Sequence, residues 1–397
     1  MQVVQLPVSK SILIRKLFIH YIYYKEVLPI KSKVPEDIKI VFRNLLLIKS
    51  AVQRKDNQVV AINVKDCGAA CRFFTALLAT TEGQWLVTGT PRLMQRPISP
   101  LIDALNSIGA EIKTSETGLR IHGKKLSAEK IEIDTSLSSQ FLTAILLISK
   151  KIELKQIVLK NSFRPSFSYV ELTRKMLDEI GICTSVEDNF ITVSYNMLNK
   201  KYFREEADWS AAAFWYAYSL LTGKSLFLKD LSMESAQPDR NIIKIFGQLG
   251  VETKGVRGGV VICAKESDKK NDKIKFNLQD NPDIAPVLTT ALTLLQKNSE
   301  ISGLSTLNNK ESKRLQVLKD ELREFAQIEI HNNDTLDITP EKTFPPLSKH
   351  LIFNSYNDHR MVMAFSLFSI FYNTEIKEFS SVRKSYPNYP NFALYCV

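Results

Sequence analysis

Apolar positions in this chain gather into long runs of helical period, separated by short runs rich in β-branched and aromatic residues. The helical runs predict helices over 69–78, 98–108, 138–148, 169–180, 211–221, 241–249, 284–295, 312–325 and 361–371. The shorter runs predict strands over 85–88, 130–133, 152–159, 190–193, 225–228, 259–262, 327–330 and 336–338. Alternation of the two predicts an α/β chain. Three phrases repeat: Ile108-Gly109-Ala110-Glu111-Ile112, Ile180-Gly181-Ile182-Cys183 and Leu249-Gly250-Val251-Glu252. Each closes a helix on Gly, which suits the left-handed position past a helix C-terminus, and then enters a strand. The phrases recur about 70 residues apart, and about six units of ~65 residues would fill the chain.

Polar residues concentrate at the entries to these helices. Ser9-Lys10-Ser11 precedes a helix carrying Arg15, with either serine able to cap it. Asp66-Cys67-Gly68-Ala69-Ala70-Cys71-Arg72 opens another, where Gly68 permits close approach to the backbone. Pro91-Arg92-Leu93-Met94-Gln95-Arg96-Pro97 sets two arginines in a loop before a helix. Ser136-Leu137-Ser138-Ser139-Gln140-Phe141 is a run of hydroxyls and an amide at a helix start. Pro282-Asp283 opens the helix at Ile284, where the carboxylate either caps the helix or takes a proton from a hydroxyl. Lys310-Glu311-Ser312-Lys313-Arg314, Tyr356-Asn357-Asp358-His359-Arg360-Met361 and Arg383-Lys384 complete the set. Each phrase alone reads as a capped helix or a solvated loop. Their common position at helix entries points to one anion-binding site, because titratable groups at the mouth of an apolar helix are costly unless a ligand or partner satisfies them.

Composition narrows the class. The 397 residues fit two domains, and 44% hydrophobic with 24% charged residues describes a soluble globular protein. No apolar run reaches a membrane span, and the first residues lack the pattern of a signal peptide, so a cytoplasmic protein is expected. The five cysteines (Cys67, Cys71, Cys183, Cys263, Cys396) are scattered, which favours reduced thiols over a zinc site. The net charge of +11 admits a nucleic-acid partner, but the cations are spread along the chain and a site for small polyanions accounts for them as well. The polar stretch 265–273 reads as a solvated loop.

Taken in order, the phrases resemble the enolpyruvyl transferases, most closely the 5-enolpyruvylshikimate-3-phosphate (EPSP) synthases, or 3-phosphoshikimate 1-carboxyvinyltransferases. The matching residues are Leu6-Pro7-x-Ser9-Lys10-Ser11-x-x-x-Arg15, 68–72, Arg92-x-x-x-Arg96-Pro97, 136–141, Glu206-Ala207-Asp208-Trp209-Ser210, Pro282-Asp283, Lys310-Glu311-Ser312-x-Arg314, 356–361 and Arg383-Lys384. The resemblance implies an α/β (α+β) fold of two similar domains, each of three βαβαββ units forming an inside-out α/β barrel, with the active site in the interdomain cleft. Residues 1–8 plus 207–397 would form a discontinuous domain with the phosphoenolpyruvate-side residues. Residues 9–206 would form an inserted domain with most of the shikimate 3-phosphate-binding residues. The implied reaction transfers the enolpyruvyl group of phosphoenolpyruvate to the 5-hydroxyl of shikimate 3-phosphate and releases phosphate, a step of chorismate and aromatic amino acid biosynthesis. It implies no cofactor and no metal, two small-molecule substrates, no nucleic acid or membrane partner, a monomer, and sensitivity to glyphosate.

Carried over by position, Lys10, Ser11, Arg15, Ser138, Ser139, Gln140, Ser166, Tyr169, Asp283 and Lys310 would bind shikimate 3-phosphate. Lys10, Gly68, Arg96, Gln140, Arg314, Arg360 and Lys384 would bind phosphoenolpyruvate. Asp283 would be the base for the 5-hydroxyl, Glu311 would protonate and later deprotonate C3, and Lys10 and His359 would support proton transfer. The chain departs from the family's usual residues at Ile14, Asp66, Ala69, Thr306 and Lys313, and Ser168 replaces a proline, yet every catalytic group implied is present. Two rival readings share the fold: UDP-N-acetylglucosamine enolpyruvyl transferase, and a non-catalytic anion-binding member. The Ser-Leu-Ser-Ser-Gln and Tyr-Asn-Asp-His-Arg phrases favour the shikimate enzyme.

Overall fold

The structure, a computed structural model, describes residues 1–54, 58–162, 164–201, 203–265 and 273–390. Cys396 and most of the polar stretch 265–273 lie outside the described residues. The chain divides into two compact units, one of Met1–Ser9, Lys33–Glu36 and Glu205–Val397, the other of Lys10–Ser32 and Asp37–Arg204.

After β1 (Gln2–Gln5) come two helices, α1 (Lys10–Tyr24) and α2 (Glu36–Arg54). Then β2 (Val59–Asn63), α3 (Gly68–Ala79), β3 (Gly83–Thr88), α4 (Pro91–Met94), α5 (Ser99–Ser107), β4 (Glu111–Ser115) and β5 (Gly118–Gly123) build a sheet of order β2-β3-β5-β4. The elements β6 (Lys130–Ile133), α6 (Ser139–Ile148), β7 (Gln156–Leu159), α7 (Ser168–Asp178), β8 (Ile182–Val186) and β9 (Phe190–Tyr195) repeat it as β6-β7-β9-β8. In both, the first two strands are parallel and need a crossover helix, while the last two close as an antiparallel hairpin.

The other unit uses the same plan. Strand β1 pairs in parallel with β10 (Leu226–Lys229), which follows α8 (Trp209–Thr222). Helix α9 (Ile242–Gly247) and strands β11 (Val251–Val256) and β12 (Gly259–Ala264) complete the sheet β1-β10-β12-β11. Next, β13 (Ile274–Asn277), α10 (Ala285–Leu294), β14 (Ser299–Ser302), α11 (Arg314–Glu321), β15 (Ala326–His331) and β16 (Thr335–Pro340) give β13-β14-β16-β15. The last repeat is shortened: β17 (Leu351–Asn354), α12 (His359–Phe365) and β18 (Thr374–Lys377) form a parallel pair with no hairpin among the described residues.

Burial explains why helices lie inside each unit and sheets outside. Residues Ala285–Thr293 of α10 are all buried, as are nine of the ten residues of α6. A helix apolar on every side must be covered on every side. Strands such as β6 alternate exposed and buried positions, so each sheet turns one face to water.

Several elements differ from those read off the sequence. The strand expected over 152–159 begins only at Gln156, because Ser149–Ile152 form a 3-10 turn and Glu153 takes a left-handed conformation, φ 57°. That stretch is apolar because Ile152 and Leu154 are buried, not because it is extended. The helix expected over 312–325 is only Arg314–Glu321, and the one over 361–371 passes from α12 into the 3-10 turn Ser366–Ile370. Helix α2 was not anticipated; its Ile-Lys-Ile-Val run looks strand-like, yet Ile38, Ile40, Val41, Leu45 and Ile48 all reach the core on one helical face. The segment 10–54 thus contributes two helices and no strand.

The repeated glycines behave as the pattern predicts. Gly109, Gly181 and Gly250 have φ of 93°, 92° and 94°. Their surroundings differ: a Cβ on Gly181 would lie 2.6 Å from the Met197 carbonyl oxygen, whereas one on Gly109 would meet nothing within 4 Å. Gly109→Ala should therefore cost only backbone strain, about 1 kcal/mol, and Gly181→Ala distinctly more, on the order of 2–4 kcal/mol. Thermal unfolding of the two variants side by side checks this; equal destabilisation would contradict it.

Candidate active site

In the unit built on α8, α10, α11 and α12, charged residues meet where these helices begin. Arg314 is the first residue of α11 and is 1% exposed. Its Nη1 donates to Asp283 Oδ1 at 2.8 Å, its Nε to Asp358 Oδ2 at 2.8 Å, and its Nη2 to Glu311 Oε2 at 3.0 Å and to Asp358 Oδ1 at 3.2 Å. A guanidinium presents a rigid fork of donors, so one buried Arg can orient three carboxylates at once. Asp358, fully buried, caps α12 by accepting from the Arg360 backbone N–H at 2.9 Å and also accepts from Ser312 Oγ at 3.0 Å. Its charge is thus balanced and hydrogen-bonded on both oxygens, as a buried carboxylate requires.

Further cations surround this centre. Lys310 Nζ lies 3.3 Å from Asp283 Oδ1, Lys384 Nζ 3.2 Å from Glu311 Oε1, and Arg360 Nη2 3.8 Å from Asp283 Oδ2. Arg360 Nη1 donates to the Ser210 carbonyl at 3.2 Å, while its buried Nε has no hydrogen-bond partner among the described residues. His359 is buried, with Nδ1 3.8 Å from Asp358 Oδ1. Behind Arg360, Asp239 is 1% exposed, accepts from Ser210 Oγ, and accepts from Asn281 Nδ2 at 3.1 Å.

These contacts set the charge states. Burial opposes ionisation of Asp283, but Lys310, Arg314 and Arg360 outweigh it and hold the carboxyl well below the usual range, against a smaller push from Glu311. Burial raises the Asp239 carboxyl, and Arg360 only partly counters it. Asp283 does not cap α10; it sits in the 3-10 turn Pro282–Ile284 with no side-chain cap bond and turns to the cations. The choice the sequence left open between capping and facing a ligand is thereby decided against capping.

The other unit holds a second cluster, where α1, α3, α6 and α7 meet. Arg15 is 5% exposed and donates from Nε to Thr173 Oγ1 at 2.7 Å, from Nη1 to the Ser11 carbonyl at 2.8 Å and from Nη2 to the Tyr169 carbonyl at 3.1 Å. Burial lowers its pKa to about 10, with Tyr169 acting weakly the other way, and among the described residues no carboxylate pairs with it. A buried cation supported only by neutral groups is a receptive place for an anion. Ser138 caps α6, accepting from the Gln140 N–H at 3.3 Å, and Ser139 is buried beside it. The buried Gln140 Oε1 has no hydrogen-bond partner among the described residues. Ser166 is buried in a left-handed conformation, φ 56°, a strain that non-glycine residues carry only where the surroundings impose it.

Gly68 opens α3, and two guanidinium groups crowd it: a Cβ there would lie 2.9 Å from Arg96 Nη1 and 3.0 Å from Arg72 Nη1. Arg72 is itself fixed, donating to the Gly68 carbonyl at 3.1 Å and to the Pro97 carbonyl at 2.8 Å. Lys10 Nζ is 3.0 Å from Asp37 Oδ2, an acid on α2 that is 3% exposed.

The structure thus gathers Asp283, Lys310, Glu311, Arg314, His359, Arg360 and Lys384 in one unit. It sets Arg15, Ser11 and Tyr169 together, and Gly68 with Arg96, in the other. Sequence reading missed Asp37, because α2 itself was missed. It also missed Asp239, Asn281 and Thr173 as partners, since each supports a charged residue far away in sequence. Of the departures, Ile14 is buried in α1, and the buried Thr306 Oγ1 has no hydrogen-bond partner among the described residues. Among the described residues no helix is long and apolar enough to cross a membrane, and no group of three or more His, Cys, Asp or Glu is set to hold a metal ion.

The sequence pattern of EPSP synthase (3-phosphoshikimate 1-carboxyvinyltransferase) matches residues 42–392. The chain belongs to the EPSP synthase family. A 3-phosphoshikimate 1-carboxyvinyltransferase of Bacteroides fragilis is 31% identical over 405 residues, covering 97% of this chain and 93% of that protein. One of Pyrococcus abyssi is 30% identical over 331 residues, 83% of this chain and 77% of that protein. The solved EPSP synthase of Acinetobacter baumannii shares the fold at TM-score 0.67 and 20% identity, over 99% of this chain and 95% of that one. The expected two-domain α/β architecture of the family is therefore the fold of this chain.

The depressed Asp283 carboxyl has a measurable consequence. A group whose folded pKa lies below its unfolded value of about 3.9 contributes stability above that pH and loses it as pH falls through the folded value. The stability difference between the wild type and Asp283→Asn should accordingly shrink, relative to neutral pH, as urea unfolding is followed from about pH 5 to about pH 2. A difference independent of pH would mean that Asp283 is not ionised by its neighbours.

Proposed function

We propose that this chain transfers the enolpyruvyl group of phosphoenolpyruvate to the 5-hydroxyl of shikimate 3-phosphate, releasing phosphate. What carries the reading is the Arg314 cluster: the carboxyl groups of Asp283 and Glu311 sit on either fork of one buried guanidinium with Lys310, Arg360 and Lys384 around them. Family membership supplies the substrates, and both substrates are polyanions that such cations suit.

In this reading Arg96, Arg314, Arg360 and Lys384 hold phosphoenolpyruvate, with Arg360 Nε, which has no hydrogen-bond partner among the described residues, donating to it and Gly68 leaving room for it beside Arg96. Lys10, Ser11, Arg15, Ser138, Ser139, Gln140, Ser166, Tyr169 and Lys310 hold shikimate 3-phosphate. The anions of the substrates compete with Asp283 and Glu311 for the same cations. As Arg314 and Arg360 turn toward substrate, the Asp283 carboxylate loses part of the field that holds its proton affinity down and becomes a stronger base for the 5-hydroxyl. Glu311, protonated once the substrate anions have drawn Arg314 and Lys384 away from it, delivers that proton to C3 and later takes it back, with Lys10 and His359 steadying the charge that develops. Phosphate leaves from the tetrahedral adduct with the proton that Asp283 took from the 5-hydroxyl, its remaining negative charge met by the same cations.

The protein works as a monomer in the cytoplasm on two small-molecule substrates, and glyphosate competes with phosphoenolpyruvate. Asp283→Asn and Glu311→Gln should each lower phosphate release by about 10²–10⁴-fold while shikimate 3-phosphate binding stays within a few-fold. Turnover unchanged in either variant would remove that residue from its role. Phosphate release with UDP-N-acetylglucosamine in place of shikimate 3-phosphate would transfer the chain to the sister reaction. No release with either acceptor would mark a non-catalytic member.

A further inference from the structure

Lys384 poses a placement problem. In the sheets β1-β10-β12-β11 and β13-β14-β16-β15 of its unit, an antiparallel hairpin follows the parallel pair and ties the chain down by a backbone ladder. After β18 no such hairpin follows among the described residues; the chain goes into the 3-10 turn Phe379–Lys384 and on to Tyr389. Yet Lys384 is 7% exposed and its Nζ is held 3.2 Å from Glu311 Oε1. Lys has a long, flexible stem, so its position depends on how firmly its backbone is set.

Two tyrosine hydroxyls supply anchors in place of a ladder. Tyr386, two residues past Lys384, is 2% exposed, accepts from Trp215 Nε1 on α8 at 3.3 Å and donates to the Gln5 carbonyl at the end of β1 at 2.9 Å. Tyr389 OH lies 2.9 Å from Ser366 Oγ just past α12, and its ring packs edge-on against Phe214 with centroids 5.3 Å apart. The Tyr386 and Tyr389 rings also meet, with centroids 5.3 Å apart. Backbone bonds from Ser385 N and Tyr386 N to the Val382 carbonyl, at 3.1 and 2.8 Å, carry the anchor directly into the turn that bears Lys384.

We propose that Tyr386 is a positioning residue for the reaction: its hydroxyl, shared between Trp215 and the Gln5 carbonyl, sets Lys384 against Glu311 and so fixes the site for phosphoenolpyruvate. The inference rests on the reading of Lys384 as a phosphoenolpyruvate contact. Tyr386 touches no substrate and acts only through Lys384. The hydroxyl is chosen over the ring because its two hydrogen bonds tie the last turn to two other elements, α8 and β1.

The test uses the full-length chain and steady-state phosphate release with Tyr386→Phe, Lys384→Gln and the double variant. Tyr386→Phe keeps the ring and its packing and removes the shared hydroxyl. It should raise KM for phosphoenolpyruvate about three- to tenfold, as the loss of one or two hydrogen bonds implies, with KM for shikimate 3-phosphate unchanged. Lys384→Gln should raise the same KM by more, and adding Tyr386→Phe to it should raise it no further, because the two act as one unit. Thermal melting of the four proteins tells packing from placement. The proposal is overturned if Tyr386→Phe leaves KM for phosphoenolpyruvate unchanged while Lys384→Gln raises it. It is overturned equally if the two effects multiply, or if Tyr386→Phe raises both KM values together with a fall in melting temperature. If Lys384→Gln alone leaves KM unchanged, the assignment of Lys384 fails, and the proposal falls with it.

Discussion

The cluster in the larger unit turns on one buried cation. Arg314 is 1% exposed and hydrogen-bonded to Asp283, Glu311 and Asp358. Removing a charge from water is expensive, and breaking a buried pair by deleting one partner leaves the other uncompensated, a cost of about 3–5 kcal/mol. Each of the three carboxylates takes a charge-assisted hydrogen bond from Arg314, and the buried Arg314 depends on all three. Asp358 passes this constraint to α12 as its cap, which places Arg360; Glu311 passes it to Lys384. Four elements are thereby registered to one side chain, and the field at Asp283 is a result of that registration.

The βαβαββ repeat makes such a cluster possible. In each unit the helices are inside and the sheets outside, so helix starts converge while sheet faces take the solvent. The four-stranded sheets are alike in order, and the helix–Gly–strand phrase marks three of them, at Gly109, Gly181 and Gly250. The plan is varied at two places. Among the described residues the segment 10–54 forms helices and no strand, and the last repeat has no hairpin. Helices bring the charged residues in; strands hold the frame. Lys10 opens α1 and pairs with Asp37, and Lys384 ends a 3-10 turn two residues before Tyr386, which bonds to the Gln5 carbonyl.

Much of this was legible in the chain. Polar phrases at helix entries named Asp283, Glu311, Arg314, Arg360 and Lys384, because a charged group beside an apolar run is a local pattern. The glycine phrases showed the repeat for the same reason. What lay hidden was long-range. Asn281 donates to Asp239, whose charge in turn favours the Arg360 guanidinium, and nothing in Pro238-Asp239 or Asn281-Pro282 announces it. Helix α2 hid because β-branched residues spaced for a helix read like a strand when taken four at a time. The strand start at Gln156 was misplaced because burial under a 3-10 turn and burial in a sheet select the same residues.

The most direct test of the account replaces Arg314 with Lys, keeping the charge and removing the fork. A single ammonium cannot orient Asp283, Glu311 and Asp358 together. Arg314→Lys should then remain folded by circular dichroism, bind shikimate 3-phosphate as the wild type does, and lose kcat/KM for phosphoenolpyruvate by at least about a hundredfold. Wild-type kcat/KM in that variant would contradict the claim that one guanidinium organises the chemistry.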